Sequence, residues 1–200
     1  MPHQQTPEFA GVDYGSKLAG TTVIAFQGAS GLELATSTVK RDADRFVLDW
    51  CRQHRPRRLF LDAPLSLPGV YRYLPDFDDY FYRRADRALS AMSPMFLGGL
   101  TARAMQLRAT LENEGVAVYE VYPGGLAGLL SLNRDHYKRS KQHISSVLEA
   151  LAPFFPALPA APRVSTWHHV DALLAWLSGW RHQQGQHRQY GDPAEGLILI

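Results

Sequence analysis

The 200-residue chain is 46% hydrophobic and 20% charged, the composition of one folded domain rather than a disordered or fibrous protein. At this length folding buries roughly 70% of the surface of the unfolded chain, so no covalent staple is required, and the lone cysteine, Cys51, excludes an internal disulfide framework and a Cys-cluster zinc site. The net charge is only +2, yet 17 of the 21 basic residues are arginine; that bias suits phosphate recognition by guanidinium forks and is equally the product of a biased base composition.

Along the chain, Phe9–Asp13 (FAGVD) is a short apolar strand closed by the turn-forming Tyr14-Gly15-Ser16-Lys17. The β-branched runs Gly20–Phe26 and Leu32–Val39, parted by Gln27-Gly28-Ala29-Ser30-Gly31, extend it into an antiparallel meander. From Asp44 to His54 the period becomes helical, with Phe46, Val47, Trp50 and Cys51 on one face and Asp42 or Asp44 as the cap. Arg58–Asp62 (RLFLD) is a compact strand that ends on a carboxylate. Residues 63–99, rich in Tyr, Phe, Asp, Arg and Pro, read as an irregular insertion, and a loop of that length is usually functional. Thr101–Glu114 is a helix stopped by Gly115, Val116–Val121 a fifth strand, and Ser140–Leu151 another helix. After the proline-rich connector 153–162, Trp167–Trp180 is predicted as an amphipathic helix, and the apolar tail Gly196–Ile200 as an added edge strand. The order defines a mixed α/β domain over residues 1–200. No apolar run reaches the roughly 20 residues that span a bilayer, and the polar opening MPHQQTPEF lacks the apolar core of a signal peptide. No membrane contact and a cytoplasmic location are therefore expected.

Three acids stand where an acid is awkward. Asp13 ends the first strand, Asp62 ends the fourth, and Asp171 interrupts the apolar helix. If strands one and four are parallel neighbours, Asp13 and Asp62 meet at the rim where open α/β sheets bind ligands. A helix crossing that rim brings in Asp171. Converging carboxylates repel unless a cation offsets them; their hard oxygens suit Mg²⁺ or Mn²⁺, and a pair of ions can clamp an in-line phosphoryl displacement. Singly, each acid is as well explained as a turn starter or a surface ion pair. The three together in this order of elements point to a site.

The segment GVDYGSKLAGTTVIA resembles the opening hairpin of the RNase H-like superfamily. Together with LDAPLSLP, RRADRALSAMSP, YEVYP, a later YK, HHVDALLAW and GDPAEG, it resembles domain-of-unknown-function family 429, described as predicted nucleases of RNase H fold. The likeness covers nearly the whole chain. It implies a five-stranded mixed sheet of order 3-2-1-4-5 with helices on both faces and an insertion after the fourth strand. It also implies metal-dependent phosphodiester cleavage, with Asp13, Asp62 and Asp171 as ligands of Mg²⁺ or Mn²⁺. Holliday-junction resolvases of the superfamily carry an acid or a histidine three positions before the last acid, where this chain has His168, on the same helix face as Asp171. His168 would bind metal or shuttle a proton; alternatively, His168 and His169 merely decorate a helix start. Junction resolvases also work as dimers, which raises a homodimer here.

Glu120, near the end of the fifth strand, is a candidate fourth acid of the site. Lys17 and Lys138 would neutralise a scissile phosphate, or else are solvated surface lysines. The insertion interleaves Tyr71, Tyr73, Phe77, Tyr80, Phe81 and Tyr82 with Arg72, Arg83, Arg84 and Arg87. Such a mixture can stack unpaired bases and bind phosphates, but Asp76, Asp78, Asp79 and Asp86 oppose a backbone, and the favoured reading packs the aromatics on the sheet with Arg–Asp pairs outside. Arg83 and Arg87, one helical turn apart, are the expected substrate contacts. The leading expectation is thus a metal-dependent nuclease acting on nucleic acid. Its alternative is a non-catalytic module of the same fold that binds nucleic acid or protein, told apart by whether the acids converge. An actin-like ATP-binding enzyme, raised by DYGSK, would need a second domain of this kind.

Overall fold

Burial along its whole length puts β1 (Phe9–Asp13) at the centre of a sheet, not at its edge. In the computed structural model, which describes residues 7–29, 31–132, 135–156 and 163–200, β2 (Val23–Gly28) pairs antiparallel with β1, and β3 (Gly31–Thr36) antiparallel with β2. On the other side β4 (Arg58–Asp62) lies parallel to β1, and β5 (Ala117–Glu120) parallel to β4. The five-stranded mixed sheet therefore has the order 3-2-1-4-5 expected above.

Helix α1 (Ala43–His54) starts at Asp42, whose carboxylate accepts the Asp44 and Arg45 N–H groups at 2.9 and 3.2 Å. The insertion is less irregular than expected. It holds a 3₁₀ turn (Gly69–Arg72), α2 (Arg84–Leu89) and α3 (Pro94–Leu97). Helix α4 (Gly99–Asn113) follows, and with α1 it covers one face of the sheet: Ala10, Val12, Leu59 and Leu61 meet Val47 and Trp50 of α1 and Leu107 and Leu111 of α4.

The other face carries α5 (Pro123–Leu129), α6 (Ile144–Leu151, led by a short 3₁₀ turn) and α7 (Trp167–Gln183). Every residue of α7 from Val170 to Gly179 is buried, so this helix is not amphipathic as predicted. The sheet takes one side of it and α5 and α6 take the other, and a helix enclosed all round reads as apolar all round. The tail also departs from expectation. β7 (Gly196–Leu199) forms an antiparallel hairpin with β6 (Gln189–Asp192), and among the described residues a single bridge, Val121–Leu199, links it to the main sheet. Residues 157–162 of the proline-rich connector lie outside the described residues. Among the described residues no helix is long and apolar enough to cross a membrane.

One close approach sets the position of α7. Strand alternation turns Phe9, Gly11 and Asp13 toward it, and a Cβ placed on Gly11 would lie 2.0 Å from the Trp176 nitrogen. A glycine there lets the helix backbone rest directly on β1. Gly11→Ala is expected to lower stability by about 3 kcal/mol or more, since neither backbone can yield; urea unfolding followed by tryptophan fluorescence measures it.

Candidate metal centre

The site begins with sheet register. Asp13 and Asp62 are direct partners at the end of the β1–β4 ladder, on the face that α7 covers, so their carboxylates leave the carboxyl-terminal rim side by side. Thr166 caps α7 by accepting the His169 N–H at 3.2 Å, and one turn further on Asp171 points back to the same rim. One oxygen of each of Asp13, Asp62 and Asp171 lies within 4.8 Å of the others. Asp13 and Asp171 are buried and Asp62 is half-buried.

Three neighbours attend them. His168 Nδ1 stands 2.8 Å from Asp13 Oδ2, Lys138 Nζ stands 2.7 Å from Asp171 Oδ2, and the Tyr137 hydroxyl donates to Asp171 Oδ1 at 2.5 Å. Lys138 adopts a left-handed backbone (φ 61°), a conformation costly for a residue with a Cβ. The two histidines of HHVD part company. His168 serves the acid, whereas His169 accepts the Ser165 N–H at 3.1 Å and belongs to the helix start.

Among the described residues the three carboxylates face one ammonium and one imidazole. Burial pushes the Asp13 carboxyl above its ordinary pKa despite the hydrogen bond from His168, and the Asp171 charge adds to the rise. Burial, followed by the charges of Asp13 and Asp171, pushes Asp62 well above the carboxylate range. The hydrogen bond to Asp13 raises His168. Partial burial works against the Lys138 ammonium, but Asp171, with Asp62 and Asp13 behind it, outweighs that and raises its pKa. Burial, then the adjacent Asp171 charge, makes Tyr137 harder to ionise than a free tyrosine. Among the described residues no arginine pairs with any of the three acids, and no side-chain hydrogen bond holds Asp62. The donors are hard carboxylate oxygens without thiolate partners, a set that fits Mg²⁺ or Mn²⁺ and not a structural zinc.

Other expected site residues fall elsewhere. Glu120 is opposite Leu61 in the β4–β5 ladder, one residue out of step with Asp62, and so faces the other side of the sheet. There it accepts two hydrogen bonds from Arg83, at 2.6 and 2.7 Å, and the Leu65 N–H at 2.8 Å. Arg83 is fully buried and also grips Asp86 at 2.6 Å, so it makes no open substrate contact. Arg87 is exposed, is bonded to Asp79 at 2.8 Å and lies over the Tyr82 ring. Lys17 bridges to Asp42 at 3.2 Å beside the start of α1.

Four of the insertion's aromatics depart from the favoured reading, whereas the Arg87–Asp79 pair on the outside agrees with it. Tyr71, Tyr73, Tyr80 and Phe81 are exposed, because buried polar anchors occupy the inside. Besides Arg83, these anchors include Glu195, whose carboxylate accepts the Gly69 and Arg84 N–H groups at 2.8 and 2.7 Å. Sequence reading missed Tyr137 and Glu195 as individual residues and took Asp86 only as a charge opposing a nucleic-acid backbone. All three lay within segments already singled out: YK, RRADRALSAMSP and GDPAEG.

Neither the models of known protein families nor the curated proteins match this chain at a significant level.

Two measurements follow from this electrostatic arrangement. Asp13 and Asp62 have folded pKa values above their unfolded ones of about 3.9. Their contribution to stability is therefore complete below that range and is lost as pH rises through the folded values. Metal-free Asp62→Asn is thus expected to have a higher Tm than the wild type at pH near 7, with the gap closing in acid; thermal unfolding across pH reads both. Arg83→Met should do the opposite, since it leaves Glu120 and Asp86 buried without their cation. A loss of about 3–5 kcal/mol in chemical denaturation is expected.

Proposed function

We propose that the chain is a metal-dependent nuclease of RNase H-like fold, hydrolysing phosphodiester bonds at Asp13, Asp62 and Asp171. The observation that carries this reading is the convergence of three buried or half-buried carboxylates from three separate elements at the carboxyl-terminal rim of the sheet. The order 3-2-1-4-5 supports it.

In this reading the three aspartates hold Mg²⁺ or Mn²⁺. Bound there, such an ion supplies Lewis-acid stabilisation of the phosphoryl oxygens and a more acidic water. The reaction forms a bond from a water oxygen to phosphorus and breaks the phosphorus–oxygen ester bond, the leaving oxygen taking up a proton. The chain's own groups prepare for it. His168 and Tyr137 fix the orientation of Asp13 and Asp171 through the hydrogen bonds described above, as outer partners of metal ligands do. Lys138 moves its ammonium from Asp171 to a phosphate oxygen when substrate arrives, which Arg83, already spent on Glu120 and Asp86, does not do.

Crystals soaked in Mn²⁺ test the reading: an anomalous peak touching Asp13, Asp62 and Asp171 is expected. A clean map would leave the alternative, a binding module whose acids are neutralised internally by Lys138 and His168. Cleavage of nucleic acid should fall roughly 10–100-fold in His168→Ala or Tyr137→Phe, and further in an Asn variant of any of the three aspartates.

A further inference from the structure

Beside Asp62 and Lys138 the rim opens into a cleft of ≈ 280 Å³. Its walls are Pro64, Met92, Leu97, Leu100 and Tyr122, and the Arg83–Glu120 pair closes its floor. Pockets for drug-sized molecules begin at roughly 300 Å³, so this space suits one small ring system. Away from Lys138 and the internally paired Arg83, its lining is mainly apolar and aromatic and offers faces on which a heterocycle can stack.

The surface continues from the cleft in the same chemistry. Met92, at the lip, is 61% exposed; Phe96, adjacent in sequence to Leu97 of the wall, is 62% exposed. Phe96 meets Phe81 and Tyr82 at ring-centroid distances of 5.9 and 5.8 Å, and the Arg87 guanidinium lies 3.8 Å over the Tyr82 ring. Asp79 is already paired with Arg87. A run of exposed and half-buried rings that ends in an arginine and starts at a small cleft matches successive unstacked bases of a single strand.

We infer that the cleft takes one unpaired nucleobase next to the scissile phosphate, so that the substrate is single-stranded or frayed nucleic acid and not intact duplex. The inference rests on the phosphodiesterase reading of the carboxylates, and it adds what that site selects. A base seated between Leu97 and Tyr122 leaves its phosphate within reach of Asp62 and Lys138, which share the cleft. A paired base cannot enter without leaving its partner.

The test compares a short fluorescent single strand with the same strand annealed to its complement, bound to the intact protein in Ca²⁺ at fixed salt. The single strand is expected to bind roughly tenfold or more tightly than the duplex. Leu97→Trp, which fills the cleft, and Met92→Asp, which places a carboxylate at its lip, should each abolish that preference. Tyr73→Ala, at a 95% exposed position outside the cleft lining, should keep it. Equal binding of duplex and single strand, or a preference unchanged in both cleft variants, overturns the assignment. Calorimetry with Mn²⁺ on the same samples separates the two levels. Normal Mn²⁺ uptake without strand preference removes the base cleft alone, whereas no uptake dependent on the three aspartates overturns the carboxylate reading and this one with it.

Discussion

The contact of α7 with β1 across Gly11 is the constraint on which the arrangement of the site depends. With no side chain at that position, the backbone of a helix rests on the central strand, and the helix is then enclosed by sheet and helices on every side. That depth carries Asp171 down to the rim where Asp13 and Asp62 already stand as ladder partners. A helix held even one side-chain layer further out would leave the third carboxylate in solvent. The same packing that forms much of the core therefore sets the spacing of the acids. It also lets His168, one turn earlier on α7, reach Asp13.

A second buried charge cluster has the opposite character. Around Arg83 the guanidinium meets two carboxylates, Asp86 and Glu120, with good geometry, and Ser66 takes a further hydrogen bond at 2.9 Å. Glu195 adds a separate anchor by capping two backbone N–H groups of the insertion. This cluster is satisfied. It ties residues 63–99 to β5, while Glu195 ties them to the β6–β7 turn, which leaves the rings of the insertion facing outward. At the Asp13–Asp62–Asp171 cluster, by contrast, three carboxylates share one lysine and one histidine among the described residues. Buried polar groups normally find full partners. The difference between a satisfied cluster and a deficient one separates structural charge from a candidate binding site.

Some of the site could be read directly from the chain. The strand ends at Asp13 and Asp62 follow from short apolar runs, each broken by an acid and a turn, and the parallel register of β1 with β4 makes their adjacency a consequence of the sheet order. The spacing of His168 and Asp171 on one helix face is likewise a matter of period. Glu120 shows where such reading stops: a one-residue step in the β4–β5 register turns its side chain to the opposite face, and nothing in YEVYP specifies that step. The aromatics of the insertion are a parallel case. Composition alone favoured burying them, but the polar anchors that claimed the interior come from residues as distant as Glu195.

What the sequence determined by itself is most of the strands and long helices and the three acids worth comparing, because apolar runs, turn residues and helical period are local signals. Tertiary structure alone decided which acids share a face and that Lys138 and Tyr137 serve Asp171. It alone also decided that Arg83 is a buried anchor and that a one-ring cleft opens beside Asp62. These outcomes depend on register and on contacts between residues far apart in the chain. A side chain's partners there are set by packing distance, and sequence neighbours do not encode it.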